Sequence, residues 1–328
     1  MSARADTVGI VGAGAFGTGL AVALARAGRP VVVYTRTAAV AEAIATTRRC
    51  PRLPEVEVPA TVRVVGEVGA LAAAARYLVL AVASADAPAR LAELGGVIDG
   101  GHLVVHAIGA LAGPGDERVS ALVERETPAL RTGVLAGPAL PRDLGAGRFA
   151  SMVVASAFDE VLRETRRLLN LPPVLRIYGS HDVTGVELAS ALAGAYTAAL
   201  GVADGIAVGA GPRAVAVTRA VAEASRLIET AGGQARTMSG LAGLGNMLVR
   251  AGDGDDPDYQ LGRALARGEA VPAARYTEGA RATLASLRLA ARKGVRLPLL
   301  TGLAAVLTGK ASIEDAARLA ADSVAEAE

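Results

Sequence analysis

The sequence predicts an α/β protein: a doubly wound, mostly parallel sheet followed by an all-helical second half. Short apolar, β-branched runs alternate with helical stretches through about residue 180. A glycine-rich turn directly follows the first of these runs. Beyond about His181 the strand signal stops and only longer apolar periodicities remain.

The first run, Val8-Gly9-Ile10-Val11, has the character of a strand buried on both faces. Gly12-Ala13-Gly14-Ala15-Phe16-Gly17 follows at once, a G-x-G-x-x-G pattern. Residues 18–27 have helical spacing, Gly28 is placed to end that helix, and Val31–Tyr34 is a second strand, so the segment is one βαβ unit. A chain with 39 glycines yields chance matches to the pattern. The strand before it, the helix after it and the second strand at the right distance make it specific for a Rossmann-type dinucleotide site.

In that site Gly12 permits the tight turn, Gly14 lets a pyrophosphate approach the backbone and Gly17 lets the helix pack on the sheet. Ala15 and Phe16 of the same turn are expected to lie against the cofactor, and the N–H groups at the helix N-terminus would receive the negative charge. The second strand ends Tyr34-Thr35-Arg36-Thr37, with no carboxylate for a ribose 2′-hydroxyl. Arg36 is therefore expected to pair with a 2′-phosphate, favouring NADP(H) over NAD(H), unless it is simply a solvated strand-end cation.

Further along, Ala38–Thr47 reads as a helix broken by Arg49-Cys50-Pro51-Arg52-Leu53-Pro54, and Val62–Val65 as a strand. Residues 68–75 read as a helix, and 77–82 and 103–107 as buried strands. Val134-Leu135 and Met152-Val153-Val154 suggest two more strands. In the second half residues 183–202, 214–231 and 276–293 read as helices, and Ser312-Ile313-Glu314-Asp315 caps a last one. Residues 251–259 form an acidic Gly/Asp loop. The expected organisation is a dinucleotide-binding domain over residues 1–180 and a helical domain for substrate and dimerisation over 181–328.

Composition narrows the function. The chain has 328 residues, enough for two domains, and a net charge of only +2. With 3% aromatic residues and no Trp, neither a basic field nor a stacking surface argues for nucleic acid. Cys50 is the only cysteine, so no internal disulfide forms and a reducing cytoplasm is the expected setting. The N-terminus runs from Met1 through Asp6 into the first strand without a separate apolar signal segment. The longest uncharged run, 188–203, is short of the roughly 20 residues of a membrane span and is expected to be a buried helix, so no membrane partner is expected. No ligand spacing suggests a metal, and no G-x-S-x-G suggests a hydrolase.

Several segments recur in a characteristic order: GAGAFGTGLAVALARAG, RLPEVEVP at 52–59, Val82-Ala83-Ser84, AGPALPRDL at 136–144, GVEL at 185–188 and Asp204-Gly205. RAVAVTRAVAEASRL from Arg213, AGLGN at 242–246, Thr277-Glu278-Gly279, GVRLP at 294–298 and Leu307-Thr308-Gly309-Lys310 complete the series. With these the chain resembles the bacterial NAD(P)-dependent glycerol-3-phosphate dehydrogenases, from Val8 to about Ser312. The resemblance implies reduction of dihydroxyacetone phosphate with NAD(P)H by a homodimer.

The residues that the resemblance would make functional are partly absent. Ile108 stands where the family has the lysine of an A-T-K-G element. Ala193 and Gly194 stand at the lysine and asparagine of A-V-K-N, the catalytic acid and a substrate-positioning amide. Gly137, Ala139 and Asn246 fall in the implied substrate pocket, Ala139 where the family has threonine and Asn246 where it has aspartate. Asp256-Pro257-Asp258 replaces the S-R-N element that binds the substrate phosphate, and Arg142 conservatively replaces a lysine. A preorganised acid at a developing oxyanion is worth about 2.7–4 kcal/mol, so efficient turnover of dihydroxyacetone phosphate is not expected. The acidic loop favours a less anionic substrate.

Two side chains could supply the proton instead. Tyr196 lies one helical turn beyond Ala193, with a core tyrosine as the alternative, and His106 two residues before Ile108, with a polar residue at a strand end as the alternative. His181 and Asp182 form either an acid–base pair or a cap or hinge near the domain junction. Glu278 matches a family glutamate near the cofactor, and Asp204 and Arg213 are expected to be structural. Two functions remain open: an NAD(P)H-dependent reductase with a diverged substrate, and a non-catalytic dinucleotide-binding paralogue acting as a sensor or partner module.

Overall fold

The computed structural model describes residues 3–321; Met1 and Ser2 of the N-terminal lead-in, and residues 322–328 of the expected helical domain, lie outside the described residues. A helical turn α1 (Ala3–Asp6) precedes β1 (Val8–Val11), α2 (Ala15–Arg26) and β2 (Val31–Tyr34). Next come α3 (Ala38–Thr47), a hairpin of β3 (Arg49–Cys50) and β4 (Leu53–Glu57), and β5 (Val62–Val65). The alternation continues with α4 (Val68–Ala74), β6 (Tyr77–Leu80), α5 (Ala87–Gly95), β7 (Leu103–His106), α6 (Val119–Glu126) and β8 (Arg131–Ala136). It closes with α7 (Pro141–Ala146), β9 (Ala150–Ala155), α8 (Asp159–Leu169) and β10 (Leu175–Ser180).

Eight of these strands form one sheet in the order β10-β9-β8-β7-β6-β1-β2-β5. All neighbours run parallel except β8 and β9. Side chains alternate across the sheet, so Val8 and Ile10 enter one apolar cluster and Val11 the other. One face is covered by α2 residues such as Leu20 and Leu24, the other by Leu71, Leu91 and Leu122 of α4, α5 and α6. That two-sided burial is why the strands read as continuous apolar runs.

Strand β10 has no counterpart in the sequence reading. It is an edge strand, with Leu175 and Ile177 buried but Arg176 and Tyr178 exposed, and a half-polar pattern that short carries little signal. The β3–β4 hairpin lies where only a helix break was expected. The buried runs of β6 and β7 end earlier than predicted, because Ala81, Val82 and Ala107 belong to loops at the sheet's carboxyl edge.

The backbone divides into two compact units, one comprising residues up to 108 together with 112–183, the other 109–111 together with 184 onward. The second unit holds α10 (Ala210–Thr230), α11 (Asn246–Gly252), α12 (Pro257–Ala266), α13 (Glu278–Lys293), α14 (Pro298–Leu307) and α15 (Ile313–Ala321), all following α9 (Val183–Gly205). Helix α9 is long and apolar enough to cross a membrane, yet 83% of its most apolar stretch is buried, which makes it a core helix. Glycines let other helices reach its backbone: a Cβ on Gly262 of α12 would overlap the Ala198 carbonyl, and one on Gly279 of α13 the Gly194 carbonyl.

A buried polar junction ties α9, α10 and α14. The Tyr196 hydroxyl donates to Glu223 Oε2 at 3.1 Å, and the Leu299 N–H donates to Glu223 Oε1 at 2.9 Å. Burial raises the Glu223 pKa above its ordinary value, so the folded state binds the proton more tightly than the unfolded state. Stability from this group is therefore present at low pH and falls as pH rises from about 4.5 through the raised pKa. Replacing Glu223 with Gln should flatten that part of the Tm-versus-pH curve. An unchanged slope would show that Glu223 does not titrate as described.

Candidate functional site

Strand β1 lies between β2 and β6, so the direction of strand connection reverses beside it. In an open α/β sheet that reversal leaves a crevice beyond the strands' carboxyl ends. Here it forms a cleft of about 200 Å³ bounded by Gly12, Gly14, residues 34–37 and Ala81, Val82 and Ala83.

The three glycines have distinct geometric reasons. Gly12 has φ +115°, a conformation that disfavours side chains, and a Cβ there would overlap the Ala81 carbonyl. A Cβ on Gly17 would overlap the Gly12 carbonyl and lie 3.2 Å from Ile10 Cγ2. Gly14 is open, its nearest neighbour in the Cβ direction being the Ala81 oxygen at 4.0 Å. Helix α2 begins at Ala15 with no side-chain cap on its first N–H groups, the arrangement that receives an anion. Phe16 packs against the sheet core. The buried Cys50 thiol donates to the Ala13 carbonyl at 3.3 Å and steadies the turn from β3.

Arg36 reaches the same cleft, with Nη2 3.2 Å from Asp86 Oδ1 and both side chains about half exposed. Arg52 and Arg90 also line it. Arg90 is ion-paired with Glu93, which accepts a 2.6 Å hydrogen bond from the Tyr34 hydroxyl. Neither arginine was singled out from sequence, because each comes from a separate segment and only the fold gathers them.

The other predicted positions of the first unit lie at strand ends and in the loops that follow them. Gly137 follows β8 with φ +140°, and a Cβ there would lie 2.9 Å from Met152 Cα. The Ala139 N–H donates to the Gly137 carbonyl at 2.9 Å. His106 is fully buried at the end of β7, and its Nδ1 accepts the Ile108 N–H at 3.4 Å. Ile108 is 3% exposed and belongs to the apolar cluster of Leu80, Val104 and Val119. His181 Nδ1 sits 3.0 Å from the Ser156 carbonyl and Nε2 3.5 Å from Asp159, while Asp182 is buried just before α9.

In the helical unit Ala193 and Tyr196 are both buried in α9, and burial followed by the Glu223 charge holds the Tyr196 pKa well above its ordinary value. A phenol so held is a poor proton donor at neutral pH. Tyr196 also borders an apolar recess of about 650 Å³ between α9, α10, α14 and α15. Asn246 is half-buried at the start of α11, after a wide turn at Leu241–Gly245. Glu278 lies in the first turn of α13, 3.4 Å from Arg281. Asp204 pairs with Arg213 at 2.9 Å and accepts the Tyr259 hydroxyl at 3.0 Å, a structural bridge.

The acidic loop departs from its expected character. Asp256 and Asp258 are 6% and 1% exposed, and both ion-pair with Arg250, whose Nε is 2.8 Å from Asp256 Oδ2. Asp256 caps α12 by accepting the N–H groups of Asp258 and Tyr259, and Asp258 accepts the Gly279 N–H at 2.8 Å. Burial works against the Arg250 charge, but the two carboxylates outweigh it, so the guanidinium holds its proton above the ordinary arginine value. These aspartates are thus a closed, largely compensated cluster rather than a bare negative surface. The sequence reading missed Arg250, since nothing local distinguishes it from an exposed arginine of a short helix.

Comparison with known proteins places this geometry in a family. The profile for the NAD-dependent glycerol-3-phosphate dehydrogenase N-terminus matches residues 7–162, and that for the C-terminus matches residues 182–318. The glycerol-3-phosphate dehydrogenase [NAD(P)+] of Bradyrhizobium sp. (strain ORS 278) is 32% identical over 96% of this chain and 96% of its own. That of Alkalilimnicola ehrlichii is 34% identical over 94% of this chain and 95% of its own. In fold, the crystal structure of glycerol-3-phosphate dehydrogenase from Coxiella burnetii superposes with a TM-score of 0.89 at 24% identity, over 95% of this chain and 97% of that one. From the glycine turn to the last helices, this chain belongs to the NAD-dependent glycerol-3-phosphate dehydrogenase family.

Proposed function

We propose that the protein is an NAD(P)H-dependent oxidoreductase that favours NADP(H) and whose small-molecule carbonyl substrate differs from dihydroxyacetone phosphate. The observation that carries the cofactor half is the open, uncapped helix start at Gly14 and Ala15 beside a cleft bearing Arg36. The glycine cradle admits a pyrophosphate that a Cβ would exclude, and the first-turn amides would hold it. When bound, the dinucleotide supplies the hydride. Arg36 meets the adenosine 2′-phosphate in this reading, in competition with Asp86, and Arg52 adds to the positive field. Glu278, matched through the family, belongs to the cofactor side.

Substrate divergence is supported by what occupies the family's lysine positions. Ile108 and Ala193 are both buried apolar residues. Gly137, Ala139 and Asn246 remain the proposed substrate-pocket positions. Of the two proton-donor candidates, Tyr196 is committed to Glu223, which leaves the His106 imidazole as the donor in this reading. A cytoplasmic setting, for which the single free thiol of Cys50 speaks, and a homodimer, expected from the family resemblance, are part of the same reading. The replaced lysines also support a second reading, a paralogue that binds the dinucleotide without turnover.

Fluorescence titration should give tighter binding of NADPH than of NADH. Arg36→Ala should weaken NADPH by about tenfold or more, the loss of a charge-assisted contact of about 1.5–3 kcal/mol, and leave NADH unchanged. Equal affinities in the wild type would remove the role given to Arg36. In an NADPH-oxidation assay dihydroxyacetone phosphate should give no efficient turnover, while a panel of ketones and imines yields a substrate. Efficient turnover of dihydroxyacetone phosphate would contradict the divergence, and NADPH binding with no turnover across the panel would favour the second reading.

A further inference from the structure

We propose that Arg250, clamped by Asp256 and Asp258 against Gly194, closes from within the subsite that would hold a substrate phosphate, and so limits the chain to carbonyl substrates without a phosphate group. This deepens the reading of a diverged reductase and rests on it.

The geometry is local to the helical unit. A Cβ built on Gly194 would lie 2.8 Å from Arg250 Nη1, 3.2 Å from Asp258 Oδ2 and 3.5 Å from Gly279 Cα. The space that a side chain at 194 would fill is therefore taken by the guanidinium and its counter-ion. An amide side chain at 194 and Arg250 in its present place exclude each other. Position 194 and positions 256–258 are the two at which the family resemblance leads one to expect substrate contacts. Here one ion cluster occupies both.

The cluster cannot open cheaply to admit an anion. Each carboxylate is committed elsewhere, Asp256 to the first amides of α12 and Asp258 to the Gly279 N–H. Swinging Arg250 out would strand two carboxylates that are 6% and 1% exposed. Formally the group of one guanidinium and two carboxylates is net negative, so a phosphate dianion meets repulsion as well as a filled volume. A neutral hydroxyl or carbonyl oxygen meets neither obstacle to the same degree, because it brings no charge and needs less room.

Calorimetric titration of the NADPH-loaded wild type with glycerol 3-phosphate, and separately with inorganic phosphate, tests the closure. No saturable binding is expected with either ligand up to about millimolar concentration. Saturable binding of glycerol 3-phosphate overturns the proposal, whether Arg250→Ala abolishes it, which makes Arg250 a phosphate clamp, or leaves it, which puts the subsite elsewhere. A second measurement tests the filled volume. Gly194→Asn should lower Tm in the wild type and lose most of that cost when combined with Arg250→Met, Asp256→Ser and Asp258→Asn. An equal drop in both backgrounds overturns the proposal, and if the combined variant does not fold the wild-type titration decides alone. NADPH oxidation with the ketone panel reports the wider reading separately: its failure leaves the closure standing, whereas glycerol 3-phosphate binding defeats the closure alone.

Discussion

Backbones that touch with no side chain between them set the architecture of both units. At Gly12 and Gly17 the turn after β1, the start of α2 and the loop residue Ala81 after β6 come within distances that any Cβ would violate. That contact brings the helix N-terminus to the sheet edge and leaves Gly14 uncovered. In the helical unit the same device lets α12 and α13 lie directly on α9 at Gly262 and Gly279. Interiors packed to crystal-like density do not stretch to admit an added methyl, so these glycines are fixed by geometry as much as by ligand.

The two units use that common constraint differently. Around β1 the glycine turn, the uncapped helix start and the arginines of the cleft lie together. Along α9 the space near Gly194 has been given to Arg250 and its two aspartates. A buried ion cluster of this kind is weak as a source of stability, since desolvation offsets much of the attraction. Its effect is to fix one arrangement of α11, α12 and α13 around α9.

Most of the sheet and the cofactor turn were legible in sequence because strands buried on both faces leave continuous apolar runs, and the glycine spacing has a mechanical cause. The long buried helix was legible for the same reason: residues 188–203 carry no charge. What was not legible depends on contacts between distant segments. Strand β10 is half polar because it is an edge, and Arg52 and Arg90 join the Arg36 cleft only after folding. The acidic loop misled for a physical reason: Asp256 and Asp258 count as free negative charge in a sequence, and only the fold brings Arg250 to them. Tyr196 likewise resembled a proton donor until its hydroxyl was found bound to buried Glu223.

The central claim is an intact dinucleotide cradle in the first unit and, in the second, a phosphate subsite closed by Arg250. A crystal structure grown with NADPH and excess glycerol 3-phosphate tests it most directly. The account predicts the pyrophosphate on the Gly14 and Ala15 amides, the 2′-phosphate within hydrogen-bond reach of Arg36, and Arg250 still bound to Asp256 and Asp258 with no phosphate beside Gly194. A phosphate seated against Gly194 with Arg250 turned away would contradict it.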